Sequence, residues 1–100
     1  MKLEITQNNN SVTVVIAGRL DTVTASEFEN AIRPYFSEQG VELVADCSAM
    51  EYISSAGLRV VLMAHKSITA HGGRFVIRNL VSEVRSVFDI TGLSRILTIE

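Results

Sequence analysis

A chain of 100 residues, 47% hydrophobic and 20% charged, has the balance of one folded domain and is too short for two. A net charge of −2 and a pI near 5.6 exclude the basic footprint of a nucleic-acid or anionic-membrane binder. No stretch approaches the roughly 20 apolar residues of a membrane helix, MKLEITQNNN lacks the apolar core of a signal peptide, and the lone Cys47 suits a reducing compartment, so a cytoplasmic protein without membrane insertion is expected.

Lys2–Thr6 and Val12–Ala17 read as two strands joined by a hairpin turn, because the polar run Gln7–Ser11 contains three asparagines that tolerate turn geometry. Gly18–Asp21 leads into a helix. Thr24 and Glu27 have the spacing of a capping box, and Ala25, Phe28, Ala31, Ile32 and Tyr35 mark its apolar face. Pro34 ends or kinks that helix early, and Gly40 closes it. Val41–Cys47 is an apolar run of β propensity and Ser48–Ile53 a loop. From Ser54 the period turns helical, with Leu58, Val61, Leu62, His65 and Ile68 on one face, until Gly72 and Gly73 stop it. Arg74–Arg78 is a buried strand. Ser82 is placed to cap a last helix with Val84, Val87 and Phe88 inward; Gly92 ends it and Arg95–Ile99 is the final strand. The order β-β-α-β-α-β-α-β predicts an α/β domain: one mixed sheet of four or five strands, parallel βαβ units, and helices mainly on one face.

The segment Asp46–Leu62, DCSAMEYISSAGLRVVL, carries the chemistry. Ser54 and Ser55 fall at a helix start, where free backbone N–H groups and the positive end of the helix dipole favour a phosphate. Two serines in that place also serve as plain caps. Gly57 is costly inside a helix and implies a close approach to its backbone, either by a ligand or by a packed strand. Asp21 and Asp46, near strand ends, are either turn residues or walls of a pocket around Ser55. A hydrolase is disfavoured, since Ile53 stands where a nucleophile elbow needs glycine and His65 lies roughly 15 Å down the helix. One cysteine and two distant histidines make no metal site, and no phosphate-binding glycine loop is present, so no catalytic residue, metal or cofactor is expected.

The run Y-I-S-S-A-G-L-R-V-V-L resembles the phosphorylation-site segment of anti-sigma-factor antagonists, the STAS domain. G-R-L-D at 18–21, D-C-S at 46–48, G-G-R-F at 72–75 and V-F-D-I-T-G-L at 87–93 extend the resemblance over essentially the whole of residues 1–100. Aligned on Gly57 and Leu58, the resemblance implies Ser55 as phosphoacceptor, with Ser54 as the alternative and Asp21, Asp46, Ser54 and Gly57 around it. Ser54 stands where the family carries an Asp, and Ala56 where it carries Ser or Thr. The implied function is that of a monomeric binding protein and not an enzyme. Unphosphorylated, it binds an anti-sigma factor that is itself a Ser/Thr kinase and so frees the sigma factor; phosphorylation of Ser55 breaks the complex, and a PP2C-type phosphatase restores it. The alternative within the family is an accessory subunit of a lipid transporter or of another signalling complex.

Overall fold

Hydrophobic period decides each element of the computed structural model, which describes residues 1–100. Strands β1 (Lys2–Asn8) and β2 (Ser11–Leu20) form a hairpin, with Asn9 in the left-handed conformation its turn requires. Helix α1 (Ala25–Ile32) passes into a 3-10 turn, Arg33–Tyr35, where Pro34 removes the next helical donor. Then come β3 (Glu42–Ile53), α2 (Ser55–Ala70), β4 (Arg74–Arg78), α3 (Ser82–Ile90), a 3-10 turn at Leu93–Arg95, and β5 (Thr98–Ile99).

The five strands lie in the order β1-β2-β3-β4-β5, with β1 antiparallel to β2 and the remaining pairs parallel. Each crossover steps one strand in the same direction. Right-handed crossovers of that kind put α1, α2 and α3 on a single face. Their apolar stripes meet alternate strand residues, among them Val14, Ile16, Leu43, Ala45, Phe75 and Ile77, in one core cluster of 24 buried residues.

The opposite face has no helix, yet Val44 and Val76 on it are buried, 5% and 0% exposed, and stand outside the main cluster. They are register partners, flanked by Glu42 with Arg74 and by Asp46 with Arg78. Arg74 pairs with Glu42 at 3.5 Å and with Glu100 at 3.0 Å, and Arg78 with Glu100 at 3.0 Å. The aliphatic stems of such arginines cover apolar surface while their heads stay wet.

Five local expectations are corrected. Ser48–Ile53 is not a loop: it continues β3 and pairs with β2 through two register shifts, and the alternation Met50/Ile53 buried against Glu51/Tyr52 exposed is too irregular to read as a strand. Thr24 makes no capping bond to the following turn; Asp21 takes that role instead. Ser82 is the first residue of α3, not its cap. The last strand shrinks to Thr98–Ile99, since Leu93–Arg95 is a helical turn. On α2 the buried stripe is Gly57, Leu58, Val60, Val61, Ala64 and Ile68, which leaves Leu62 and His65 half-buried, because the small Gly57 and Ala64 let their side of the helix approach most closely.

Candidate functional site

The site forms where β2 and β3 outrun the rest of the sheet. Pairing of β3 with β4 stops at Asp46, whereas its pairing with β2 continues to Leu20 opposite Ile53. Gly18, at φ +91°, permits the second of the two register shifts along this extension. Asp21 and Ser54 follow the last paired residues of the two strands, so α1 and α2 begin side by side, and the Ser54 N–H is anchored on the Leu20 carbonyl at 2.9 Å.

The two serines take different duties. Ser54 has extended backbone and is the N-cap of α2, its Oγ accepting the Gly57 N–H at 3.2 Å. Ser55 is the first helical residue; it is exposed, and its hydroxyl makes no hydrogen bond within the chain. Its place at the helix start puts it beside free backbone N–H groups and the positive end of the dipole of a 16-residue helix.

Gly57 is buried and faces inward. A Cβ there would stand 2.9 Å from both Ile53 Cγ1 and Leu20 Cγ, and 3.0 Å from the Leu20 carbonyl oxygen. Its role is close packing of α2 on the strand ends. It sets the height of Ser55 without itself reaching the surface.

Asp21 stands at the start of α1. Its Oδ1 accepts the Val23 and Thr24 N–H groups at 3.0 Å each, while its own N–H donates to Thr24 Oγ1 at 2.9 Å. The Thr24 N–H bond, ahead of the Thr24 hydroxyl, the Val23 N–H and the Arg19 guanidinium, holds its carboxyl below the usual range against some desolvation. Asp21 is thus a turn residue with a charge at the edge of the site. Asp46 does not join it. It projects from the outer sheet face, accepting the Ser48 N–H at 3.0 Å and Asn79 Nδ2 at 3.2 Å, and the Ser48 bond first holds its carboxyl low. Seven steps along β3, about 23 Å at 3.3 Å each, separate it from Ile53.

Other groups are eliminated by position. Cys47 is buried, and burial followed by the Asp46 charge pushes its thiol up to about 12, so no thiolate nucleophile exists. His71 closes α2 with Nδ1 donating to the Ser67 carbonyl at 2.8 Å, sixteen positions from Ser55.

Sequence reasoning missed the surroundings. Arg19 lies over the Tyr52 ring at 4.1 Å and 3.9 Å from Asp21, and Val23 is 85% exposed in the turn after Asp21. A cleft of about 250 Å³ between α1 and α2 is lined by Thr22, Ser26 and Glu29 on one side and on the other by Ala56, the residue after Ser55, with Arg59 and Met63. Arg19 and Tyr52 lie within segments the sequence singled out, but their pairing depends on the register shifts. Nothing in the sequence distinguishes an exposed Val23 from a core valine.

The STAS domain family matches residues 2–100. The anti-sigma-B factor antagonist of Bacillus subtilis (strain 168) is 32% identical over 99 residues, covering 99% of this chain and 90% of that protein. That of Listeria monocytogenes (serovar 1/2a) is 30% identical over 94 residues, covering 94% and 82%. The crystal structure of an anti-sigma factor antagonist from Mycobacterium paratuberculosis superposes with a TM-score of 0.86 at 24% identity, covering 98% of this chain and 83% of that one, a likeness of fold.

Proposed function

The chain belongs to the STAS domain family, and from that premise we propose that it is a cytoplasmic anti-sigma-factor antagonist switched by phosphorylation of Ser55. Unphosphorylated, it binds an anti-sigma factor that is a Ser/Thr kinase, and the sigma factor is released. The kinase then transfers the γ-phosphoryl group of ATP to Ser55: the Oγ–P bond forms, ADP departs and the hydroxyl proton goes to solvent. The complex dissociates, and a PP2C-type phosphatase hydrolyses the ester to regenerate the binding form. The chain is a substrate in this cycle, and its own chemistry is recognition.

The observation that supports this most is the division of labour between neighbouring serines. Ser54 is committed as the cap of α2, and Ser55 alone offers a free, exposed hydroxyl at the helix start. The names of relatives at 30% identity or more supply the partner class. Charge supplies the switch. A phosphoserine carries about −1.5 to −2 charges at neutral pH, which a helix start tolerates, so the domain stays folded. Burying that charge unpaired against a partner costs roughly 3–5 kcal/mol.

The test is phosphorylation of the purified chain by an anti-sigma kinase encoded beside it, followed by peptide mapping. One phosphate on Ser55 is expected, and none in Ser55→Ala. Phosphate on Ser54 moves the switch by one residue. No phosphorylation, with a transporter subunit retained on the chain instead, supports the accessory-subunit reading.

A further inference from the structure

We propose that Arg59 is the intramolecular partner of a phosphate on Ser55, so that phosphorylation removes a free cation from the partner-facing surface as well as adding an anion. This rests on Ser55 as the modified residue, and four observations carry it. Ser55 and Arg59 are one turn apart on α2 and both exposed. Helical side chains at i and i+4 are neighbours, and that at i+4 leans back toward the helix start. Arg59 forms no ion pair, a state it shares only with Arg95, in the 3-10 turn near the end of the chain, whereas Arg19, Arg33, Arg74, Arg78 and Arg85 all do. The acids nearest its cleft are taken: Glu29, on the α1 side of the same cleft, is bound by Arg33, and Asp21 by the turn of α1 and by Arg19.

A phosphate suits this guanidinium better than a carboxylate does. It offers three acceptor oxygens beyond the reach of an aspartate side chain, and a guanidinium binds two of them through parallel N–H bonds. Pairing draws Arg59 toward Ser55 across the mouth of the α1–α2 cleft. The free form presents Arg59 as an open cation there; the phosphorylated form presents a joined pair with residual negative charge.

Phosphoserine introduced at position 55 of the whole chain by genetic encoding makes the test independent of any kinase. A 31P NMR titration then reads the second ionisation of the phosphate in otherwise wild-type protein, in Arg59→Gln and in Lys66→Gln. Lys66 is an exposed cation on the same helix, eleven residues and about 16 Å along from Ser55. A partner that favours the dianion lowers its pKa, so Arg59→Gln is expected to raise it by about 0.3 pH unit, Lys66→Gln to leave it near wild type, and Arg59→Lys to fall between. Equal values in Arg59→Gln and Lys66→Gln overturn the proposal. A kinase that ignores Ser55 refutes the phosphoacceptor and leaves this titration unaffected, so the two failures are separable.

Discussion

Ser54 and Ser55 share a side-chain type and a neighbourhood, yet one hydrogen bond separates their roles. The Ser54 oxygen accepts from Gly57 N–H and holds the first turn of α2; the Ser55 oxygen holds nothing. Ser54→Ala is therefore expected to cost about 1 kcal/mol, the usual value of a lost N-cap, or roughly 4–8 °C in Tm for a domain of this size. Ser55→Ala should leave the unfolding free energy within about 0.5 kcal/mol of wild type, as exposed substitutions do. Thermal and urea unfolding of both variants decides it, and a larger loss from Ser55→Ala than from Ser54→Ala would reverse the assignment of cap and acceptor. The resemblance already pointed to Ser55 as the acceptor, with Ser54 as the alternative; which serine caps α2 needed the backbone, because Ser54 is extended and Ser55 helical.

At the scale of elements, α2 is placed by Gly57. Alanine there gains about 1 kcal/mol of helix propensity over glycine, but its Cβ meets Leu20 and Ile53 at 2.9 Å. Leu20 cannot retreat cheaply, since its carbonyl accepts from Ser54 and its residue is paired with Ile53. Overpacking of this kind costs about 1–3 kcal/mol, so the balance for Gly57→Ala is a loss of up to about 2 kcal/mol, measurable by urea denaturation, with partner binding weakened as α2 rises off the strand ends. Helix periods, the Asn turn, Pro34 and the stopping glycines were legible because each acts within a few residues. The length of β3 was not. Its second half reads as a loop because the register shifts break strict alternation, and only the tertiary pairing with β2 shows Ser48–Ile53 to be strand. The same pairing joins Asp21 to the serines and sets Asp46 apart on the other face, a distinction that two aspartates near apparent strand ends cannot show in one dimension.

Across the whole molecule, three carboxylates hold depressed pKa values for separate reasons: Asp21 by the Thr24 N–H, Asp46 by the Ser48 N–H, and Glu100 by Arg78. A carboxylate lowered in the folded state stabilises the fold above its unfolded pKa of about 4 and loses that contribution as pH falls through the folded value. Tm should be level on this account between pH 7 and about pH 5 and decline below about pH 4, and Asp21→Asn, which keeps an acceptor for the α1 turn, should shallow the decline. The domain that results has helices on one face, an arginine–glutamate lattice over the other, and the free Ser55 hydroxyl at the extended end of β2 and β3. Central to the proposed function is that negative charge at Ser55 changes binding and not folding. Isothermal titration of the cognate anti-sigma kinase, with ATP withheld, into the unphosphorylated chain and into the chain phosphorylated at Ser55 tests this most directly. The expected result is a Kd weakened about 10²- to 10³-fold or more by the phosphate, with superimposable circular dichroism of the two free forms; equal affinities, or a phosphorylated chain that has unfolded, would contradict it.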